Sequence, residues 1–447
     1  VFGEIAMRLR KSRFRRLAMF FEQREVREGL YYSATRAGLR LPLAAPRPRP
    51  HGDAPKQSDR VALVACVHSL SLEGAPISLL EILVGLQRVT RLEIHIISPS
   101  DGLLGDRARD YGLSVHLMES PQDISAGSNA YERAIADYAQ LIASIQPAVV
   151  IANSLVSFHA VDAARIAGVP SMWIIRESDP PHEFIARYPL AVQQRALAAL
   201  EYPFKLVFVS QASMDGWPSS GVSKTVIRTG PDQSTMDRIV RSWSRSDARR
   251  SLDIEEDECI TLTVGTLCAN KGQHDVLTMV ETLANRGRRI KSIFLGVPAD
   301  PGGPSLMRSI HSLSTRVGPI VQVYAPTNDI ARFYAAADVY ICSSRREGYP
   351  RTILEALAFG LPIVSTRVGG IPEALGSANV QYYRPSDADS LVAVIDRMIQ
   401  FPALRIAMRE SSQSRWQELI GGNDMIDRYA HEIDAITRRN GFDQCAG

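Results

Sequence analysis

The sequence predicts an α/β protein in which two doubly wound domains, each a parallel sheet flanked by helices, follow one another and face across a cleft. Two observations carry this. From Arg60 onward, short apolar runs alternate with helix-length amphipathic stretches, the pattern of buried parallel strands and the helices that cover them. A chain of 447 residues also exceeds what one hydrophobic core supports, since cores stop growing at about 250 to 300 residues.

The first segment, residues 1–57, reads as a basic extension and linker. Its first fifty residues hold twelve Lys or Arg against four Glu, a local charge of +8 in a chain whose total is only +3. Phe14, Leu17, Ala18 and Phe21 share one face of a helix whose other face carries Arg13, Arg15, Arg16 and Arg24. Such a helix suits peripheral contact with an anionic membrane surface, or it packs on the protein itself or on a partner; both readings stay open. The prolines of residues 41–56 make a stiff linker.

Residues 58–232 form the first predicted domain, with strands at Val61–Val67, Leu92–Ser98, Ala148–Ser154, Ser171–Glu177 and Leu206–Ser210. Residues 233–402 form the second, with strands at Ile260–Gly265, Ile290–Gly296, Ile320–Ala325, Val339–Ser344 and Pro362–Thr366. Residues 403–447 are helical in pattern and are expected to cross back to the first domain. In open parallel sheets ligands bind beyond the carboxyl ends of the strands, so functional residues are sought in the loops there.

Composition narrows the class. With 45% hydrophobic and 22% charged residues and no apolar run of about 18 residues, the chain is not expected to be an integral membrane protein. The basic character belongs to the extension, so no nucleic-acid partner is expected. Five cysteines without paired spacing suggest buried thiols in a reducing compartment, and no secretory leader is evident, which makes the cytoplasm the expected location, with peripheral attachment to the inner membrane face through residues 1–50.

The most informative stretch runs from Ser343 to Leu375. A strand ends at Ser344, a loop carries Glu347 and Gly348, Pro350 opens a helix and Gly360 closes it. The N-terminus of that helix, at Arg351 and Thr352, presents unpaired N–H groups suited to phosphate. Glu355 lies one turn inside, where a carboxylate can accept from vicinal sugar hydroxyls. Taken singly, each Glu is more often a solvated surface residue. Lys271, in VGTLCANKGQ, stands at a loop-to-helix junction where a lysine is often merely solvated.

Together these residues closely resemble the donor-binding signature of retaining glycosyltransferases of the GT-B fold, family 4. Two glutamates, Glu347 and Glu355, precede the GLP segment Gly360–Pro362 and the turn formed by Gly369, Gly370, Pro372 and Glu373. The resemblance spans residues 60–400. It implies that Glu355 binds the nucleotide ribose, that Glu347 lies by the transferred sugar, and that Gly348, Tyr349, Pro350, Arg351 and Thr352 line the sugar and diphosphate. It also implies that Lys271 pairs with the diphosphate, and that the loop with Glu73, Gly74 and Ala75 stands near the acceptor. The donor is then a nucleoside diphosphate sugar acting as substrate, with no cofactor, and the acceptor a glycan, a lipid-linked molecule or a protein.

Thr266 stands where the family commonly has arginine, which leaves charge neutralisation to Lys271, the helix N-terminus and Arg346. Arg176 stands where a histidine is frequent, and IRTGPD (227–232) replaces NG-x-D, so the acceptor is left open. Asp387 and Asp389 spell a DxD pattern of metal-dependent transferases, but Ser386 and Asp387 directly precede a helical run and read as its cap, so no metal is expected. A nucleotide-sugar epimerase of the same architecture and a catalytically silent scaffold of a polysaccharide assembly complex are the rival readings.

Overall fold

The computed structural model describes residues 61–121, 128–218, 220–299, 302–422 and 424–439. The basic segment with its amphipathic face, and Cys445, lie outside the described residues.

The first sheet comprises β1 (Ala62–Cys66), β2 (Glu93–Ser98), β3 (Ser114–Leu117), β4 (Val149–Asn153), β5 (Ser171–Ile175), β6 (Lys205–Phe208) and β7 (Ser223–Val226). Its order is β3-β2-β1-β4-β5-β6-β7 and every pairing is parallel. The second sheet comprises β8 (Cys259–Val264), β9 (Ile290–Leu295), β10 (Val321–Tyr324), β11 (Val339–Cys342), β12 (Ile363–Thr366) and β13 (Gln381–Tyr383), in the parallel order β10-β9-β8-β11-β12-β13. In both, the strand order reverses beside the first strand. The switch points are therefore between β1 and β4 and between β8 and β11, where the connections leave in opposite directions and open a crevice for ligand.

Coverage on both faces explains the apolar runs. In β1, Leu63 and Ala65 enter one apolar cluster while Val64 and Cys66 enter the cluster on the opposite face. Edge strands tell a different story. SVHL in β3, SKTV in β7 and QYY in β13 were not expected from the sequence, and each is the outermost strand of its sheet and only partly buried.

Residues 60–447 form one compact unit. A single apolar cluster runs from Leu63 and Leu83 through Met236 and Ile254 to Ile353, Leu357 and Tyr429. The final helix, Met425–Arg439, returns to the first half, where Glu432 pairs with Lys205 at 3.0 Å and Arg428 donates to the Val226 carbonyl at 2.6 Å. Cys66, Cys259 and Cys342 are buried free thiols, and burial pushes Cys66 and Cys259 up to about 12, which keeps them inert.

Candidate active site

Both switch points open onto one cleft of about 430 Å³, within the range of small-molecule sites. Its wall is built from loops that the chain ties together. After β8, the short turn Ala269–Lys271 ends at Gly272, whose φ of +64° is left-handed and whose Cβ, if present, would stand 2.1 Å from the Ser343 carbonyl oxygen. This close approach lets Ser343 Oγ donate to the Lys271 carbonyl at 2.7 Å and Arg345 N–H to the Asn270 carbonyl at 2.8 Å. The loops after β8 and β11 are thus held as one surface.

On that surface Lys271 Nζ donates to Glu347 Oε1 at 2.5 Å, and Ser344 Oγ donates to the same oxygen at 2.6 Å. Burial works against the ammonium, but the Glu347 carboxylate outweighs it and holds Lys271 above the ordinary lysine range. Pro350 stands at the cap of the helix Arg351–Ala358, so the helix opens without needing an N–H there.

Glu355 is buried and both its oxygens are engaged: Oε1 accepts from Arg351 Nε at 2.8 Å and Oε2 from the Tyr334 hydroxyl at 2.9 Å. Tyr334 stacks between Tyr340 and Phe359, and Tyr340 donates to Thr352 Oγ1 at 2.7 Å. Burial, then the Glu355 charge, pushes the Tyr334 hydroxyl well above its ordinary range, so it remains a donor.

Arg351 reaches across the cleft. Its Nη1 and Nη2 meet Glu81 of the helix Gly74–Val89 at 2.5 and 2.9 Å, a two-pronged pair between the halves. Burial opposes the guanidinium, and Glu81 and Glu355 together hold it above its ordinary range. On the first-half wall, Glu73 accepts from Ser71 Oγ at 2.7 Å and lies 3.2 Å from His68 Nε2; the His68 bond is the main reason its carboxyl is lowered. A Cβ on Gly74 would meet nothing within 4 Å, so this glycine leaves open space at the cleft wall.

The structure brings Lys271, Glu347, Tyr349, Pro350, Arg351, Thr352 and Glu355 into one cleft with Glu73, Gly74 and Ala75. Gly348 stands apart. It packs against the first half, where a Cβ would lie 1.9 Å from the Arg176 carbonyl oxygen, and it is not among the residues lining the cleft. Arg346 also turns away, pairing with Asp179 and, at 2.9 Å, with Glu183. Asp387 caps the helix Ala388–Gln400 through Ser390, whose N–H and Oγ both donate to it. Sequence reasoning passed over Glu81 and Tyr334. Glu81 had a signal, since it is the lone acid inside the apolar run Ile77–Leu83.

The architecture now has counterparts. Anabaena Alr3699/HepE in complex with UDP and glucose superposes with a TM-score of 0.67 and 18% identity, covering 83% of this chain and 99% of that one. The fold is GT-B.

Residues 244–415 match the family described as "Glycosyl transferases group 1", a stretch that includes every second-half residue named above for the cleft. Two relatives are named for D-inositol 3-phosphate glycosyltransferases. That of Corynebacterium jeikeium is 31% identical over 201 residues, 42% of this chain and 47% of its own. That of Catenulispora acidiphila is 26% identical over 227 residues, 47% of this chain and 52% of its own. The matched stretch thus spans about half of each relative.

Proposed function

We propose that the chain is a retaining glycosyltransferase that moves a hexose-type unit from a nucleoside diphosphate sugar to an acceptor hydroxyl, without a bound metal, in glycan or polysaccharide assembly on the cytoplasmic side. The observation that carries this reading is the convergence of Lys271, Glu347, Thr352 and Glu355 in a cleft shared with Glu73, Gly74 and Ala75. The family match over residues 244–415 and the UDP held by a neighbour of the same fold support a nucleotide-sugar donor.

In this reading the diphosphate meets Lys271 and the N–H groups that open the helix Arg351–Ala358, while Glu355 accepts from the ribose hydroxyls. The bond between the anomeric carbon and the diphosphate oxygen breaks, and its electron pair stays on that oxygen, where a lysine and a helix dipole stabilise the new charge. The acceptor oxygen bonds to the anomeric carbon on the same face and passes its proton to the departing phosphate oxygen. Glu347, held by Lys271 and Ser344, borders the transferred sugar. The acceptor is a glycan, a lipid-linked molecule or a protein, and residues 1–50 are proposed to rest on an anionic membrane surface.

The test is a thermal-shift panel of UDP-, GDP-, ADP- and TDP-sugars, followed by turnover of the best donor in excess EDTA. At least one donor raises the melting temperature, as a ligand specific to the folded state must, and turnover survives chelation. Loss of turnover in EDTA, restored by manganese or magnesium, overturns the metal-free mechanism. Release of an epimerised donor without acceptor overturns the transferase reading.

A further inference from the structure

Arg176 follows β5 and lines the same cleft from the first half. Its Nε donates to Asn153 Oδ1 at 2.6 Å and its Nη1 reaches Thr229 Oγ1 at 3.4 Å, both neutral acceptors. Its Nη2 is buried and has no hydrogen-bond partner among the described residues, and no ion pair joins the guanidinium there.

The other enclosed cations of the cleft are placed differently. Lys271 has Glu347, and Arg351 has both Glu81 and Glu355. The carboxylates whose charge acts on Arg176 are also taken. Glu177 accepts from Ser154 Oγ and Leu155 N–H at 2.8 Å each, and Glu81 from Arg351. Burial lowers the Arg176 guanidinium below its ordinary range, with Tyr429, Glu177 and Glu81 offsetting this only in part. Arginine nevertheless stays charged in proteins. A buried charge without an opposite charge is unfavourable, and the N–H groups left over on Nη2 suit a carboxylate or phosphate oxygen.

Arg176 lines the cleft together with Lys271, Glu347 and Thr352, so an anion at its guanidinium would share the site with the donor. The Arg176 carbonyl abuts Gly348, next to Glu347, at the seam where the two halves meet. We infer that Arg176 recognises a negatively charged substituent, a carboxylate or a phosphate, carried either by the transferred sugar or by the acceptor. This rests on the nucleotide-sugar reading given above and adds to it a selectivity for anionic substrates.

The test uses the full chain and isothermal titration calorimetry in two arms. In the donor arm UDP, UDP-glucose and UDP-glucuronate are compared; in the acceptor arm inorganic phosphate is titrated into protein saturated with UDP. The source of the anion is read from which arm responds. A sugar carboxylate gives UDP-glucuronate about a tenfold advantage over UDP-glucose, and an acceptor anion gives phosphate binding to the UDP complex.

In either case Arg176→Gln removes the response and Arg176→Lys keeps part of it, while affinity for UDP alone stays within about twofold. Melting temperature separates this from a structural role: Arg176→Gln removes an uncompensated charge and should leave the melting temperature equal or higher. Equal affinity for both sugars together with no phosphate binding overturns the inference, as does a response that Arg176→Gln leaves intact. If neither UDP nor its sugars bind, the donor reading is what fails, and phosphate titrated into the unliganded protein still decides for or against Arg176.

Discussion

Arg351 is shared between Glu81 of the first half and Glu355 of its own helix, so its removal is the sharpest probe of how the cleft is held. In Arg351→Met two carboxylates lose the one ion pair each makes among the described residues. The Glu355 side chain is 9% exposed and keeps the Tyr334 hydroxyl, whereas Glu81 is 21% exposed. Breaking a buried pair from one side costs about 3–5 kcal/mol, and the partial exposure of Glu81 reduces this to about 2–4 kcal/mol. Glu81→Gln should cost only about 1 kcal/mol, because Arg351 retains Glu355. Urea unfolding at pH 7 reads the difference as a shift in midpoint of about 1 M or more for Arg351→Met. Replacing both carboxylates by Gln in the Arg351→Met background should recover most of the loss. A Glu81→Gln variant less stable than Arg351→Met, or an Arg351→Met variant as stable as the parent, would refute the reasoning.

Three further outcomes are expected. Lys271→Ala should lower turnover by about a hundredfold in a protein whose circular dichroism is unchanged, and near-normal turnover would remove Lys271 from the diphosphate. Glu355→Gln should raise the donor dissociation constant by about tenfold, while Glu347→Gln lowers kcat with little change in donor affinity; calorimetry and steady-state rates separate the two. Burial pushes the His159 imidazole down to about 4, so the folded state refuses a proton that the unfolded chain accepts near pH 6.5. Its contribution of about 3 kcal/mol is complete above pH 6.5 and lost as pH falls toward 4, and His159→Gln should flatten that part of the stability profile. The same slope in the variant would rule His159 out as its source.

What the sequence disclosed follows from where each constraint resides. Central strands such as ALVAC in β1 and VVIAN in β4 are covered on both faces and must be apolar, so they stand out without any structure. The edge strands β3, β7 and β13 meet solvent on part of their surface and carry Ser, Lys, His and Gln, so no run marks them. The grouping of Glu347, Pro350, Arg351, Thr352 and Glu355 was legible because loop, Pro350 and helix lie within a dozen residues of one another. Arg351 with Glu81 was not, since the two are 270 residues apart and only the meeting of the halves joins them. The want of an ion-pair partner at Arg176 is hidden as well, because adjacent Glu177 is engaged by Ser154 and Leu155, and Glu81 by Arg351, contacts that only the fold brings together.

The stretch from Ser343 to Leu375 also does more than line a site. Three of its charged residues face the first half: Arg346 meets Asp179 and Glu183, Arg351 meets Glu81, and Glu373 accepts from the N–H groups of Gln211 and Ala212 while pairing with Arg228 at 2.8 Å. Glu373, read from the sequence as part of a donor signature, therefore serves at the seam, where it caps the short helix Gln211–Asp215 from across the interface. Arg351 belongs to both sets, since it borders the cleft and pairs with the opposite half. An anion that drew Arg351 toward itself would have to weaken the bond to Glu81, and by linkage any change in that bond alters affinity for the anion. Were such an anion to bind, its affinity and the contact between the halves would be parts of one equilibrium, because Arg351 would take part in both.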